Sequence, residues 1–494
     1  MASPSEGASI AMTTAEPLRA TVRQAPATLI ERLAAALESA GIAYCQWKGH
    51  SKRNRWLTGA GDLDLLVDPA AWPALVEVLV QLGFKRAVAP PWLQLPAVDS
   101  YLGYQQADEA GPLVHVHAYH RIVIGPPWRT TYTVPLAETV LAAASPSFVV
   151  RAPAPEHELL LTVLQAAQRC TVRDIVRRGR SDWIAAMRRE LQRLEPRAEW
   201  SELVATIERD LPSVSVRLFE RCLDAFLSGA SRWRICVLTR ALTMGLRPFA
   251  RPPALGATPR AIAARLAGAV GLPAPVEGKG LVTGGRVLAL VGGDGAGKTT
   301  CATELTAWLG RELATLRVHL GRPPRSLATL AVGGALKVAR WLNQSLAAHL
   351  ELLRCVCTAR DRYRLYHRAW RFAARGGVVI AERYPIPANY ALCGPSEELG
   401  VQTRLDTRVA RLLRRVEWTY YEWMRPPDAT IVLQLDPEVA VRRKTDEPED
   451  YVRERVQIVS DTDWAGMHGV YVVDAGRALP EVLSDLKSLV WSLI

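Results

Sequence analysis

The sequence predicts an α/β protein whose C-terminal part is a doubly wound parallel sheet, preceded by an α+β unit with a helical extension. Three observations carry this. After residue 284, apolar runs of strand length alternate with stretches of helical period, the pattern of a parallel sheet covered on both faces. The first of those runs passes straight into Gly292–Thr300, which satisfies GxxxxGK[ST]. Before residue 248, short strand-like runs between helices give way to a stretch from His157 to about Leu242 with helical periodicity and no strand signal.

Taken in order, residues 1–27 are mostly Ala, Ser, Thr and Pro, lack the apolar core of a signal peptide and are expected to be a disordered tail. In the α+β unit, residues 28–150, helical spacing runs over Leu29–Leu37 and Pro73–Leu82. Strand-like runs cover Ile42–Trp47, Leu63–Val67 after the Gly59-Ala60-Gly61 break, and Leu113–Ala118. The helical extension, 151–247, contains His157–Gln168, Asp174–Leu194, Trp200–Ile207 and Val216–Leu227. Pro248, Pro252, Pro253, Pro259, Pro273 and Pro275, with Gly256, Gly278 and Gly280, mark a linker at 248–283.

From 284 to 494 the predicted strands are Arg286–Val291, Arg317–Leu320, Val378–Ala381, Thr430–Leu435 and Gly469–Val473. Helices are expected over Thr299–Leu309, one long stretch Leu327–Ala374, Thr403–Trp423, Pro437–Ile458 and Leu479–Ser492.

Composition bounds the partners. The 494 residues suit about three domains, and a formal charge of +12, carried largely by Arg as in Arg177, Arg178, Arg180, Arg411, Arg414 and Arg415, suits anionic ligands. Solvated helix faces are the plainer reading of such Arg runs. The eight cysteines include no CxxC pair, so free thiols in a reducing compartment are expected. The apolar runs Leu281–Val291 and Leu327–Val338 both fall short of the roughly 20 residues a spanning helix needs, and a cytoplasmic location is expected.

The loop Gly292, Gly293, Asp294, Gly295, Ala296, Gly297, Lys298, Thr299 and Thr300 has the chemistry of a triphosphate cradle. Glycines let successive N–H groups turn toward phosphate oxygens, and the helix that starts there adds its positive end. Lys298 is placed to reach the β and γ phosphates and Thr299 to offer a hydroxyl to Mg²⁺. ATP and Mg²⁺ are therefore the expected cofactors.

The string Gly292-x-Asp294-Gly-Ala-Gly-Lys-Thr-Thr300 resembles the loop of the thymidylate kinase family, with Val291 where that family carries Glu. Arg375-Gly-Gly-Val-Val-Ile-Ala-Glu382-Arg383-Tyr384 resembles its strand end ahead of an acid, an Arg and a Tyr, with Glu382 in place of Asp. Ala359-Arg-Asp361-Arg362 resembles its base-reading helix segment, and Pro427–Lys444 the strand and helix that lead into its LID. Val472-Val-Asp474-Ala-Gly476 resembles the last strand and turn, near the donor adenine.

The resemblance implies a phosphoryl-transfer fold over about 286–494. It also implies that Asp294, Arg362, Arg383 and Tyr384 hold the acceptor, that Glu382 and Thr299 sit near Mg²⁺, and that Asp474 and Gly476 lie beside the donor base. Catalytic cations are then expected among Lys298, Arg383, Arg443, Lys444, Arg453 and Arg455. The aromatic that stacks on thymine in the family is Thr358 here, which leaves the acceptor's identity open.

In the N-terminal part, Lys48-Gly49-His50-Ser51 ahead of Asp62-Leu63-Asp64 resembles the nucleotidyltransferase superfamily signature. Alternate strand residues point one way, so Asp62 and Asp64 can clamp divalent metal there. His115, in Val114-His115-Val116-His117, stands where relatives carry a third carboxylate, and imidazole is a poor Mg²⁺ ligand. His115, His117 and His120 leave a zinc site as an alternative to structural histidines. The D-x-D can also be an ordinary strand edge.

The leading expectation is transfer of the ATP γ-phosphoryl to a nucleoside monophosphate, dTMP or a related small acceptor. Nucleotidyl transfer by the N-terminal part and a nucleotide-dependent binding or regulatory role are the alternatives. A nucleotide and a small phosphorylated acceptor are the expected partners. Nucleic acid and a transmembrane segment are not expected, and a homodimer is left open.

Overall fold

Thr28 starts the first helix, α1 (Leu29–Ser39), with a reciprocal cap: its hydroxyl accepts from Glu31 N, and the Glu31 carboxylate accepts from Thr28 N. In this computed structural model the described residues are 27–49, 53–106, 111–170, 183–253, 258–259, 262–263, 278–399, 406–464 and 466–494. The predicted tail up to residue 26, His50, Ser51, Asp174, Arg177, Arg178, Arg180, Thr403 and much of the Pro/Gly-rich stretch fall outside them.

The N-terminal half builds a six-stranded mixed sheet around α1, α2 (Arg53–Leu57) and α3 (Trp72–Gln81). Its strands are β1 (Tyr44–Gln46), β2 (Asp62–Val67), β3 (Lys85–Val88), β4 (Val98–Tyr104), β5 (Leu113–Tyr119) and β9 (Gly280–Leu281), in the order β1-β2-β5-β4-β3-β9. Only β2 and β5 pair in parallel, which sets Asp62 opposite His115 and Asp64 opposite His117. A second, antiparallel sheet joins β6 (Ile122–Ile124), β7 (Thr131–Val134) and β8 (Ala250–Arg251). After α4 (Ala137–Ala142) come the long helices α5 (Pro155–Arg169), α6 (Trp183–Leu194), α7 (Trp200–Asp210), α8 (Val216–Leu227) and α9 (Arg232–Gly245). Their apolar faces close one core around Leu160, Leu164, Phe219, Phe226 and Leu242.

The C-terminal half is a five-stranded, wholly parallel sheet: β10 (Val287–Gly292), β11 (Thr315–His319), β12 (Val378–Glu382), β13 (Ala429–Gln434) and β14 (Val470–Asp474), ordered β11-β12-β10-β13-β14. β10 is buried along its whole length, as a central strand covered on both faces must be. The helices are α10 (Lys298–Leu309), α11 (Leu327–Leu342), α12 (Gln344–Ala373), α13 (Tyr390–Cys393), α14 (Arg408–Glu422), α15 (Pro437–Arg443), α16 (Glu449–Asp461) and α17 (Leu479–Leu493).

Four expectations are corrected. The long helix over Leu327–Ala374 is two helices: Asn343 takes an extended backbone and caps α12, its side chain accepting from Ser345 N and Leu346 N. The LID stretch Pro437–Ile458 is likewise broken between α15 and α16. The described ends of the predicted linker are paired strands: β8 joins β7, and β9 joins β3 while Leu281 N donates to Gly376 O and Lys279 N to Glu312 O. This segment therefore stitches the two halves together, because exposed strand edges offer backbone groups that a neighbouring chain segment can satisfy. Finally, Cys170 and Cys236 are joined by a disulfide rather than free, since packing of α5 against α9 brings their Cα atoms to 5.7 Å. The other six cysteines are free.

The halves also share side chains. Tyr104 lies edge-on to Trp308 at 5.3 Å, Trp308 to Trp491 at 6.3 Å, and Trp491 Nε1 donates to Gly83 O. No described helix is long and apolar enough to cross a membrane.

Candidate functional site

The phosphate loop leaves β10 at the centre of the parallel sheet, where the strand order reverses and ligand crevices form. Gly295 at φ +83° and Gly297 at +77° occupy the left-handed region that glycine adopts without strain, and Gly297 is the N-cap of α10. A Cβ on Gly293 would lie 2.5 Å from Val456 Cγ2 and 2.7 Å from Val456 Cα, so α16 rests directly on the loop.

Asp294 is the hub of the site. Arg383 Nη2 donates to its Oδ1, Arg455 Nε lies 2.7 Å from its Oδ2, and Lys298 Nζ is 3.9 Å away. Burial alone would raise the Asp294 pKa; Arg383, Lys298 and Arg455 together hold it below the usual carboxylate range. Lys298 is 7% exposed, and its ammonium donates to Gly293 O at 2.5 Å. Burial and then the neighbouring Arg383 pull its pKa down to about 8. Three cations face one carboxylate, which leaves the cluster net positive and suited to phosphate.

Beside this hub, Thr299 Oγ1 donates to Glu382 Oε2 at 2.7 Å, and Arg317 Nε donates to Glu382 Oε1 at 2.7 Å. Glu382 ends β12 opposite Leu290 of β10 and is 1% exposed. A hydroxyl and a carboxylate oxygen are hard ligands of the kind Mg²⁺ takes, and Arg317 already pairs with the other Glu382 oxygen. Arg383 itself sits at φ +52°, a sparsely populated conformation for a side-chain-bearing residue, of the kind held where a guanidinium must be aimed.

The structure sorts the candidate cations. Lys298, Arg383 and Arg455 converge on Asp294. Arg443 instead donates to Ala475 O and Gly476 O, where it holds the turn at Asp474, whose Oδ1 accepts from Gly476 N. Lys444 pairs with Asp446 and Glu447, and Arg453 with Glu438 and Asp450, in ion pairs at the surface. Of the cations expected in the LID run, Arg455 is the one placed against Asp294, while Arg443, Lys444 and Arg453 are held by the partners just named.

Two expected acceptor ligands are also placed differently. Tyr384 is fully buried; its hydroxyl donates to Arg425 O and accepts from Trp370 Nε1. Arg362 is buried and donates to Leu320 O, Cys393 O and the Tyr421 hydroxyl. Both fasten neighbouring segments of the chain to one another. Thr358, at the position of the family's stacking aromatic, bonds back to Arg354 O within α12.

In the N-terminal half, Asp62 and Asp64 take alternate positions of β2 and have different partners. Lys48 Nζ lies 3.1 Å from Asp64 Oδ1 and donates to the Tyr119 hydroxyl, so the Asp64 charge is paired with an ammonium. Burial would raise the Asp64 pKa, and Lys48 and His117 hold it low. Asp62 faces His115 instead, and burial lowers the His115 pKa despite that partner. His120 stands apart, edge-on to Trp72.

Sequence reasoning missed Arg317, Glu312 and the pairing role of Lys48. An Arg within a strand-like run two residues ahead of His319 was the only signal for the first. Nothing local marked Glu312, which is brought to the N-terminal sheet by the pairing of residues 278–281.

No protein-family model matches this chain. It is 25% identical over 226 residues to "Uncharacterized ATP-binding protein YghR" of Escherichia coli (strain K12), a match covering 41% of this chain and 86% of that protein. It is 29% identical over 218 residues to "Uncharacterized ATP-binding protein YghS" of the same strain, covering 40% of this chain and 89% of that one. Among solved structures, a thymidylate kinase from Candida albicans matches at 20% identity and a TM-score of 0.30, over 42% of this chain and 92% of its own. The C-terminal half is a P-loop kinase-like region. That statement rests on its strand order, its loop and the helix the loop opens.

Proposed function

We propose that the C-terminal half is an ATP- and Mg²⁺-dependent kinase that transfers the γ-phosphoryl group to a small phosphorylated acceptor of the nucleoside monophosphate class. The observation that carries this reading is the convergence of Lys298, Arg383 and Arg455 on Asp294, beside the Thr299–Glu382 pair. Arg383, directly after β12, adds a guanidinium beside the loop that suits a second phosphate group.

In this reading the loop N–H groups and Lys298 hold the donor phosphates, and Thr299 and Glu382 hold Mg²⁺, which offsets phosphate charge when bound. Arg383 binds the acceptor phosphate. Asp294 orients the acceptor, and Arg455, carried by α16, follows the charge on the transferring group. An acceptor oxygen bonds to the γ-phosphorus as the bond to ADP breaks, and Arg455 offsets the charge spread over the equatorial oxygens. The ATP-binding names of YghR and YghS agree with the donor half of this assignment.

The test is a screen of nucleoside monophosphates, nucleosides and phosphosugars with Mg·ATP, read by ADP release and by thermal shift. At least one acceptor is expected to stimulate ADP release that disappears in Lys298→Ala while the fold is retained. If no acceptor stimulates release although ATP binds, the kinase reading fails and a nucleotide-dependent regulatory role takes its place.

For the N-terminal half we propose a nucleotidyltransferase-like topology without two-metal chemistry, because Lys48 takes Asp64. Pyrophosphate release that vanishes in Asp62→Asn/Asp64→Asn would overturn that.

A further inference from the structure

The N-terminal sheet and the phosphate-loop half meet at a cluster of metal-ligating groups. β2 and β5 run in parallel register, and alternate strand residues face one side, so Asp62, Asp64, His115 and His117 project together. One donor atom from each of Asp62, His115 and His117 lies within 4.8 Å of the other two. His115 Nδ1 is 2.7 Å from Asp62 Oδ1 and 3.4 Å from Glu312 Oε2. His117 Nδ1 is 3.3 Å from Asp64 Oδ1 and 3.9 Å from Asp62 Oδ2. A tetrahedral ion with ligands at roughly 2.0–2.1 Å has ligand–ligand edges of about 3.3 Å, and these separations straddle that value. His115 is 4% exposed; its Nδ1 is the ring nitrogen that faces Asp62 and Glu312, and its Nε2 has no hydrogen-bond partner.

We propose that Asp62, His115 and His117, with Glu312 from the phosphate-loop half, form a site for a zinc-class divalent cation that ties the two halves together.

Two imidazoles and two carboxylates suit a borderline transition-metal ion; Mg²⁺ prefers an all-oxygen shell. With Glu312 the ligands number four, the count a structural zinc site uses, and Asp64 stands beside them, 3.1 Å from Lys48 Nζ and 3.3 Å from His117 Nδ1. Glu312 pairs with Lys279 at 2.8 Å, and the metal replaces that ammonium as the Glu312 partner. Glu312 follows the end of α10, the helix whose N-terminus is the phosphate loop, so the ion clamps that helix to the N-terminal sheet.

The full-length protein, stripped of metal with a chelator and dialysed, is titrated with Zn²⁺ against a chromophoric competitor. A parallel sample receives Co²⁺ and is scanned for the visible absorption of a tetrahedral site. One tight equivalent of Zn²⁺ is expected, with a tetrahedral Co²⁺ band, a raised thermal midpoint and no displacement by a large excess of Mg²⁺. Asp62→Asn and His117→Ala, each verified as folded by circular dichroism, are expected to weaken binding more than tenfold and to lose the band. Glu312→Gln is expected to weaken it about tenfold. Absence of a tight equivalent in the wild type, wild-type affinity in both Asp62→Asn and His117→Ala, or ready displacement by Mg²⁺ overturns the site. Wild-type affinity in Glu312→Gln alone overturns the tie between the halves.

Discussion

Arg455 Nε lies 2.7 Å from the Asp294 carboxylate, and its Nη2 donates to Leu392 O. One guanidinium on α16 thus reaches both the phosphate loop and the segment after β12. Arg453, two residues earlier, faces Glu438 and Asp450 on the surface.

That contrast gives the first prediction. Arg455→Ala is expected to lower the phosphoryl-transfer rate by about 10³-fold or more, whereas Arg453→Ala stays within a few-fold of wild type. ADP release at saturating ATP and acceptor measures both.

The second concerns pH. The Lys298 pKa is near 8, pulled down by burial and by Arg383, so its charged form is lost as pH rises past 8. ATP affinity is expected to be flat below that value and to fall by up to about tenfold per pH unit above it, with Lys298→Arg showing no such fall. A folded pKa below the 10.5 of a free lysine has a second consequence. Between those two values the unfolded chain binds more protons, so the charged form costs stability below pH 8 and that cost fades as pH rises. Lys298→Met is therefore expected to raise the thermal midpoint near neutral pH while abolishing ATP binding.

Third, Gly293→Ala pushes a methyl into Val456, at 2.5 Å from Cγ2 and 2.7 Å from Cα. Lifting α16 off the loop is expected to lower both ATP affinity and turnover. Adding Val456→Ala removes the clash with Cγ2 and leaves the clash with the main chain of α16, so a double-mutant cycle is expected to show partial rescue. Full rescue would mean that α16 is free to shift.

Fourth, Arg362→Ala leaves Leu320 O and Cys393 O without their donor inside the protein. A loss of about 2–4 kcal/mol is expected in chemical denaturation, larger than the effect of any exposed arginine. An unchanged stability with a raised acceptor KM would restore Arg362 to the acceptor site.

How much of this was legible follows from where each signal sits. The parallel sheet was readable because β10, β12 and β13 are buried on both faces and so appear as uninterrupted apolar runs. The loop was readable because Gly295 and Gly297 need the left-handed backbone that only glycine adopts cheaply. The break at Asn343 was missed because an N-cap in the middle of helical periodicity leaves the apolar period unbroken. β3 and β4 were missed because neither alternates cleanly: β3 is buried only at Ala87, and β4 is half-buried up to Ser100 before three buried residues in a row.

Within the site, the residue types were legible but their partners were not. Lys444, Arg453 and Arg455 are equivalent as charges in a run; the turn between α15 and α16 decides which one faces Asp294. Lys48 was visible as part of a turn, and only the fold brings it to Asp64. The Cys170–Cys236 disulfide and the approach of Glu312 to His115 are likewise products of tertiary packing across many residues of chain.

The measurement that bears most directly on the central claim follows the label from ATP labelled at the γ-phosphate, incubated with Mg²⁺ and the acceptor found by screening. The account predicts label on the acceptor in wild type, its loss in Lys298→Ala, and severe reduction in Arg455→Ala. Label released as inorganic phosphate at the same rate with and without acceptor would contradict it.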